Sequence, residues 1–236
     1  MTAYEIIVTD VTCYGSLYCI AGWDRISNQM IRPEPPGANA KDEASRFWSS
    51  NYAGPGKTFA VGNVVRLAAA DALPSFLFPH ATEDRIVDMA SPLNVLQTLH
   101  SAAMVQAIAA GTSGSLPLAF DGALVRTGSR KAYVPTGNLG RSLGAIEIPP
   151  SDITFFEHQW GNDKPKLRAR VTSAGQVYDL SVPAEAARLR WHSAGLAALK
   201  ADVNASTRLH IRTGLSRPMP SRPNECYSQV NGVVFL

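Results

Sequence analysis

Residues 166–182, KLRARVTSAGQVYDLSV, decide how the chain is read. Leu167, Ala169 and Val171 alternate with Lys166, Arg168 and Arg170, the period of two that puts apolar side chains on one face of a strand and cations on the other. Ser173-Ala174-Gly175 turns the chain and residues 177–182 return, so the stretch predicts a β-hairpin. Upstream, DITFFEH (152–158) reads as another strand. Downstream, a helix is expected from near Pro183 to about Lys200, carrying Ala186, Leu189, Leu196 and Leu199. Strands in TRLHIRTGLSRP (207–218) and CYSQVNGVVFL (226–236) follow it.

The same order occurs once earlier. YEIIVTDVTCYGSLYCIAGWD (4–24) predicts two strands around a Tyr14-Gly15 turn, QMIRPEPPGANA (29–40) a third that ends in a proline-rich loop, and about Asn63 to Ala69 a fourth. SPLNVLQTLHSAAMVQAIAAG (91–111) predicts a helix: Ser91 can cap, Pro92 fits the first position, Leu93, Leu96, Leu99, Ala103 and Ala107 mark one face, and Gly111 ends it. Residues 112–150 are turn-rich, with short strands around Leu124 and Tyr133. About five short strands with one helix, twice, give the fold class: mainly β with attached helices, as two small OB-like barrels in tandem. Periodicity alone admits SH3-like barrels equally. The expected division is 1–120 for the first barrel with its helix and 121–236 for the second.

At 236 residues and 45% apolar the chain can build packed cores, and 18 Gly and 16 Pro scattered along it suit strands and turns. Cys13, Cys19 and Cys226 form no CxxC pair, which argues against a disulfide framework or a zinc site and for a reduced, cytoplasmic setting. No basic and apolar leader opens the sequence, and no run reaches the roughly 18 apolar residues of a membrane span, so a soluble protein without a membrane partner is expected. Charge is uneven: residues 1–100 hold seven Lys and Arg against ten Asp and Glu, and the remainder fifteen against nine. That excess suits either a polyanionic partner of the C-terminal part or an ordinary solvated surface.

The ordered segments IVTDVTCYGSLYCIAGWD (7–24), MIRPEPP (30–36), FPHATEDRIV (78–87), GRSLGAI (140–146), KPKLRARVTSAGQVYDLSV (164–182), HIRTGLSRPM (210–219) and CYSQVNGVVFL (226–236) resemble the prokaryotic dual OB-containing domain. The resemblance covers nearly the whole chain. It implies nucleic-acid binding, by analogy with the OB fold, and a place in prokaryotic conflict or defence systems. It implies no settled catalytic activity, and no cofactor is implied.

OB barrels that bind single strands combine a basic groove with aromatics on which bases stack. Lys164, Lys166, Arg168 and Arg170 are the candidate phosphate contacts, Arg212 and Arg217 could extend that surface, and Trp160, Tyr178 and Tyr227 are aromatics near it in sequence. The same cations would equally protect a solvated edge strand. His80, Glu83 and Asp84 in PHATED could be an acid/base or metal cluster, or a capped loop in which Thr82 or Asp84 accepts backbone amides and His80 anchors the turn. Arg32 could face a phosphate, or pair with Glu83 or Asp84 and pin that loop. GPGKT (54–58) is not a nucleotide-binding loop, because Asn51 stands where the first glycine of that pattern is required. The expected partner is thus single-stranded nucleic acid. The alternatives are an enzyme acting on nucleic acid or a nucleotide through His80, Glu83 and Asp84, and a protein-interaction adaptor.

Overall fold

The computed structural model describes residues 1–72, 76–159 and 161–236. Its first sheet comprises β1 (Thr2–Tyr14), β2 (Leu17–Asp24), β3 (Gln29–Glu34), β4 (Asn63–Asp71), β5 (Asp84–Val87) and β6 (Asn94–Thr98). β1 serves two neighbours: Thr2 to Ile7 pair with β4, and Ile6 to Tyr14 pair with β2. A register shift between Val8 and Asp10 marks a bulge in this strand. The order β1-β2-β3-β5-β4 therefore closes on itself, with β3 and β5 running parallel. This five-stranded barrel is the expected OB-like unit.

After α1 (Ser101–Ala107) the second sheet is built from β7 (Thr112–Ser113), β8 (Val125–Arg126), β9 (Ala132–Pro135), β10 (Leu143–Ile148), β11 (Ile153–His158), β12 (Lys166–Ser173) and β13 (Gln176–Ser181). The helix α2 (Glu185–Ala205) leads to β14 (Leu209–Leu215) and β15 (Glu225–Phe235). Here the first barrel strand comes in two pieces. β10 pairs with β14 and β11 pairs with β12, and between them stand Pro149 and Pro150, which have no N–H to give a ladder. With β13 beside β15 in parallel, the circuit β11-β12-β13-β15-β14-β10 repeats the first barrel's path.

The expected helix over 91–111 is corrected. Residues Asn94–Thr98 form β6, and the helix is Ser101–Ala107, capped by the His100 side chain. β5 covers only Ala69 to Asp71 of β4, so the backbone groups of Asn63 to Arg66 need another partner, and β6 supplies it. Leu93, Leu96 and Leu99 share a helical spacing but not a face: Leu96 is 42% exposed, Leu93 packs on the first barrel's core and Leu99 on a different cluster. FPHATEDRIV (78–87), given no strand from the sequence, contains β5, the strand that closes the first barrel. α2 runs further than expected and is interrupted at Gly195, whose φ is 77°. No helix among the described residues is long and apolar enough to cross a membrane.

Among the described residues, three apolar clusters hold these parts. One fills the second barrel, another fills the first around Ile6, Val8, Ile20, Ile31 and Phe59. The third lies between the barrels: Ile7, Ala21, Trp23, Met30 and Val64 of the first meet Met104, Val105 and Ile108 of and after α1, and Leu143 and Val234 of the second. Around the expected 120/121 division, Leu116, Ala119 and Phe120 already pack in the second core, and β7 pairs with β10. Gly111 permits the contact that seats α1, because a Cβ there would stand 2.6 Å from the Trp23 ring. Gly111→Ala is therefore expected to lower stability by about 1–3 kcal/mol in denaturant titration, as overpacking does.

Candidate functional site

The basic stretch HIRTGLSRPM (210–219) lies mainly where the barrels meet. On β14, Leu209 and Ile211 enter the second core, so His210 and Arg212 project from the outer face. That face is covered by the first barrel. Arg212 is 1% exposed, its guanidinium Nη2 lies 3.3 Å from Asp10 Oδ2 and 3.1 Å from the Met30 sulfur, and Thr9 Oγ1 donates to the same carboxylate oxygen at 2.7 Å. His210 Nε2 meets Thr112 Oγ1 at 3.0 Å, and burial, with Arg212 next, lowers its pKa to about 3.

Arg217, in the β14–β15 loop, crosses to the first barrel. It reaches Glu34 Oε1 at 2.6 Å and Asp84 at 3.1 and 3.2 Å. Asp84 is wholly buried and also accepts from Arg32 at 2.6 Å and Arg46 at 2.5 Å, while Arg46 holds Glu34 through two bonds of 2.8 and 2.7 Å. Burial by itself would raise the Asp84 pKa, but Arg217, Arg32 and Arg46 outweigh it and hold the carboxyl well below its usual range. Glu83 points to β10, accepting from the Ser142 amide at 2.8 Å, the Ser142 hydroxyl at 2.7 Å and the Leu143 amide at 3.3 Å. Burial lifts it to about 7 against the pull of Arg32 and those hydrogen bonds. His80 Nε2 lies 3.1 Å from the Leu215 carbonyl of β14, and burial first, then Arg217 and Arg32, keep its imidazole neutral.

His80, Glu83 and Asp84 thus converge, but as a junction between barrels. Asp84 accepts guanidinium donors instead of the backbone amides of a capped loop, which corrects that expectation. Arg32 does pair with Asp84 as the sequence suggested, and its backbone N–H also donates to the Glu83 carbonyl at 2.8 Å. Glu83 and Asp84 have their oxygens occupied and are 2% and 0% exposed, which leaves them no open substrate face. Among the described residues, no group of three or more His, Cys, Asp or Glu could hold a metal ion.

A different surface stays open on the second barrel. Leu167, Ala169 and Val171 enter its core, and Lys166, Arg168 and Arg170 share the outer face of β12, with Lys164 exposed in the preceding loop. Arg168 donates to the Asp179 carbonyl at 2.8 Å, and Arg170 meets the Asp179 carboxylate at 3.0 Å and lies over the Phe156 ring. Beside them, between β12, β13 and the β14–β15 loop, is a cleft of about 350 Å³ lined by Lys131, Lys166, Arg168, Arg222, Met219 and Tyr227, with Asp179 as the one acidic wall residue among the described residues. Tyr227 and Tyr133 pack at a centroid distance of 5.8 Å, and the Tyr227 hydroxyl donates to Glu225. The residues expected on this surface divide accordingly. Lys164, Lys166, Arg168, Arg170 and Tyr227 are on or beside it. Arg212 and Arg217 are corrected to the inter-barrel junction, and Tyr178, 3% exposed, belongs to the second core. Trp160 lies outside the described residues. Lys131 and Arg222 line the cleft and Tyr133 packs behind it on Tyr227, through contacts distant in sequence, although Arg222 lies only three residues beyond the basic stretch.

The outer face of strands two and three, with the loops joining strands one to two and four to five, is where OB barrels take oligomeric ligands. In the second barrel these are β12, β13 and the loops carrying Lys164 and Arg222. In the first barrel the corresponding β2–β3 face carries Ala21, Trp23 and Met30 and is covered by the second barrel. A family model described as the dual OB-containing domain matches residues 4–233. Neither curated proteins nor solved structures gave a match.

Two outcomes check the junction. Asp84→Ala would leave Arg32, Arg46 and Arg217 short of a buried counter-charge, and a loss of about 3–5 kcal/mol is expected in urea unfolding, beyond the ~1 kcal/mol of a lost cap. For Glu83, whose folded pKa of about 7 exceeds its ordinary 4.5, the folded state binds the proton more tightly. Its contribution is complete below pH ~4.5 and is lost as pH rises through ~7. The stability of the protein minus that of Glu83→Gln should therefore fall between pH 5 and pH 8, by on the order of 2–3 kcal/mol.

Proposed function

The chain belongs to the dual OB-containing domain family, and we propose that it binds single-stranded nucleic acid across the outer face of the second barrel. The observation that carries this reading is the contrast between the two barrel faces: β2–β3 is sealed by apolar packing, whereas β12–β13 is open and cationic beside an aromatic-bearing cleft. Lys164 and Lys166 supply phosphate contacts along β12 and the loop before it, and Arg170 adds one beside its ion pair with Asp179. Arg168 is partly engaged with Asp179 and shapes the floor. Lys131 and Arg222 contribute cations from the opposite wall, and Tyr227, backed by Tyr133, offers a ring for one base. The two-unit division follows the same logic: the first barrel acts as the support that fixes the β14–β15 loop, and the second carries the ligand. A role in a prokaryotic defence setting and a cytoplasmic location are further parts of this proposal, supported by the family resemblance and the cysteine pattern.

Fluorescence anisotropy of a labelled single strand over a salt series tests the reading. Binding should weaken steeply with salt, and Lys164→Glu with Lys166→Glu should flatten the logarithmic slope by about 0.7 for each lost phosphate contact. Lys41→Glu with Lys57→Glu, two exposed cations of the first barrel, should leave it unchanged. Retention of the full slope and affinity in the folded Lys164/Lys166 variant would sink the proposal.

A further inference from the structure

A second cavity, of about 380 Å³, opens beside the junction and is separate from the β12–β13 face. Its volume falls within the range of about 300–1,000 Å³ that small-molecule pockets occupy. Among the described residues, the charged side chains in its wall are Arg32, Arg46 and Arg217 against the carboxylate of Glu43. Glu34 and Asp84 hold those guanidiniums without lining the cavity themselves, so cations form the wall and their counter-charges stand behind it. Three arginines fixed in this way are oriented before any ligand arrives. Arg217 keeps 17% of its side chain exposed and is the most accessible of the three.

Tyr14 and Phe47 line the same cavity. Their rings stack at 4.9 Å with an interplanar angle of 11°, and Tyr14 is 55% exposed, which leaves a flat apolar plate accessible to solvent. The wall also includes Asn231, whose side-chain oxygen is enclosed and has no hydrogen-bond partner among the described residues. An enclosed polar atom of this kind calls for a donor. Cationic forks, a ring platform and an unmet acceptor within one pocket specify a ligand with an anionic group, a flat ring and a polar hydrogen.

We propose that this cavity binds a phosphate monoester borne on a nucleoside, with the phosphate at the Arg217 edge of the guanidinium group and the base against the Tyr14–Phe47 pair. The chemistry is shared by a free nucleoside monophosphate and by the phosphorylated end of a strand. The site adjoins the strand-binding cleft, sharing Ser216, Met219 and Gln229 with it, but takes none of its cations from that face.

Isothermal titration with adenosine 5′-monophosphate, adenosine and inorganic phosphate tests it, alongside two otherwise identical oligonucleotides with and without a 5′-phosphate. The monophosphate should bind at least about tenfold more tightly than adenosine or phosphate alone, since ring and anion both contribute. Tyr14→Ala, at a position 55% exposed, should weaken it about tenfold. Asn231→Asp, which sets a carboxylate in the wall, should weaken it as well, while circular dichroism shows both variants folded. Lys164→Glu with Lys166→Glu should leave the monophosphate affinity unchanged, so that failure of the strand-binding reading is visible separately. A gain from the 5′-phosphate that Tyr14→Ala abolishes would assign the strand end as occupant, and monophosphate binding without that gain would assign the free nucleotide. No binding of the monophosphate at millimolar concentration, or affinity equal in the protein and both folded variants, would overturn the proposal.

Discussion

Asp84 is the point on which the arrangement of the two barrels depends. A carboxylate removed from water is costly unless opposite charge and hydrogen bonds surround it. Here the partners come from three parts of the chain, Arg32 from β3, Arg46 from the segment after it and Arg217 from the second barrel, and the backbone pairing of β3 with β5 holds Asp84 in place. Satisfying Asp84 therefore closes the first barrel and docks the second in the same step. Glu83 adds the bond to β10 on the other side, and the Arg212–Asp10 pair fixes β14 against β1.

Buried ion pairs of this kind add little net stability compared with apolar packing, but they are intolerant of misalignment. The apolar cluster of Ile7, Trp23, Met30, Met104, Ile108, Leu143 and Val234 supplies the nondirectional attraction between the barrels, and the charged groups select one docking geometry. The functional consequence is an asymmetry between two units of like topology. The first barrel uses its β2–β3 face to receive its neighbour, and so only the second presents that face outward. The loop carrying Arg217 and Arg222 is fixed at one end by the junction and lines the open cleft at the other.

Much of the fold was legible because its signals are local. The hairpins at Tyr14-Gly15 and Ser173-Ala174-Gly175, the strand at Asn63 and the helix after Pro183 follow from period-two alternation, turn residues and helical spacing. The helix over 91–111 was misread where that locality ended. Residues 94–98 became a strand because part of β4 lacked a partner, a demand set by β5 and invisible in the segment itself. Likewise β5, four residues long and starting at a buried aspartate, has no alternation from which a strand could be recognised.

The candidate site shows the limit most clearly in two strands of one barrel. Lys166, Arg168 and Arg170 alternate with Leu167, Ala169 and Val171; His210 and Arg212 alternate with Leu209 and Ile211. The sequence determined by itself that each set of charges leaves the core, because the side-chain period of a strand is two whatever surrounds it. It could not determine what lies beyond that face. Tertiary docking decided it: β12 faces outward and its cations remain available, while β14 faces the first barrel, where Asp10 and Met30 enclose Arg212. Alternation is a property of one strand's backbone, whereas exposure depends on a partner 202 residues away in the chain, the separation of Asp10 from Arg212.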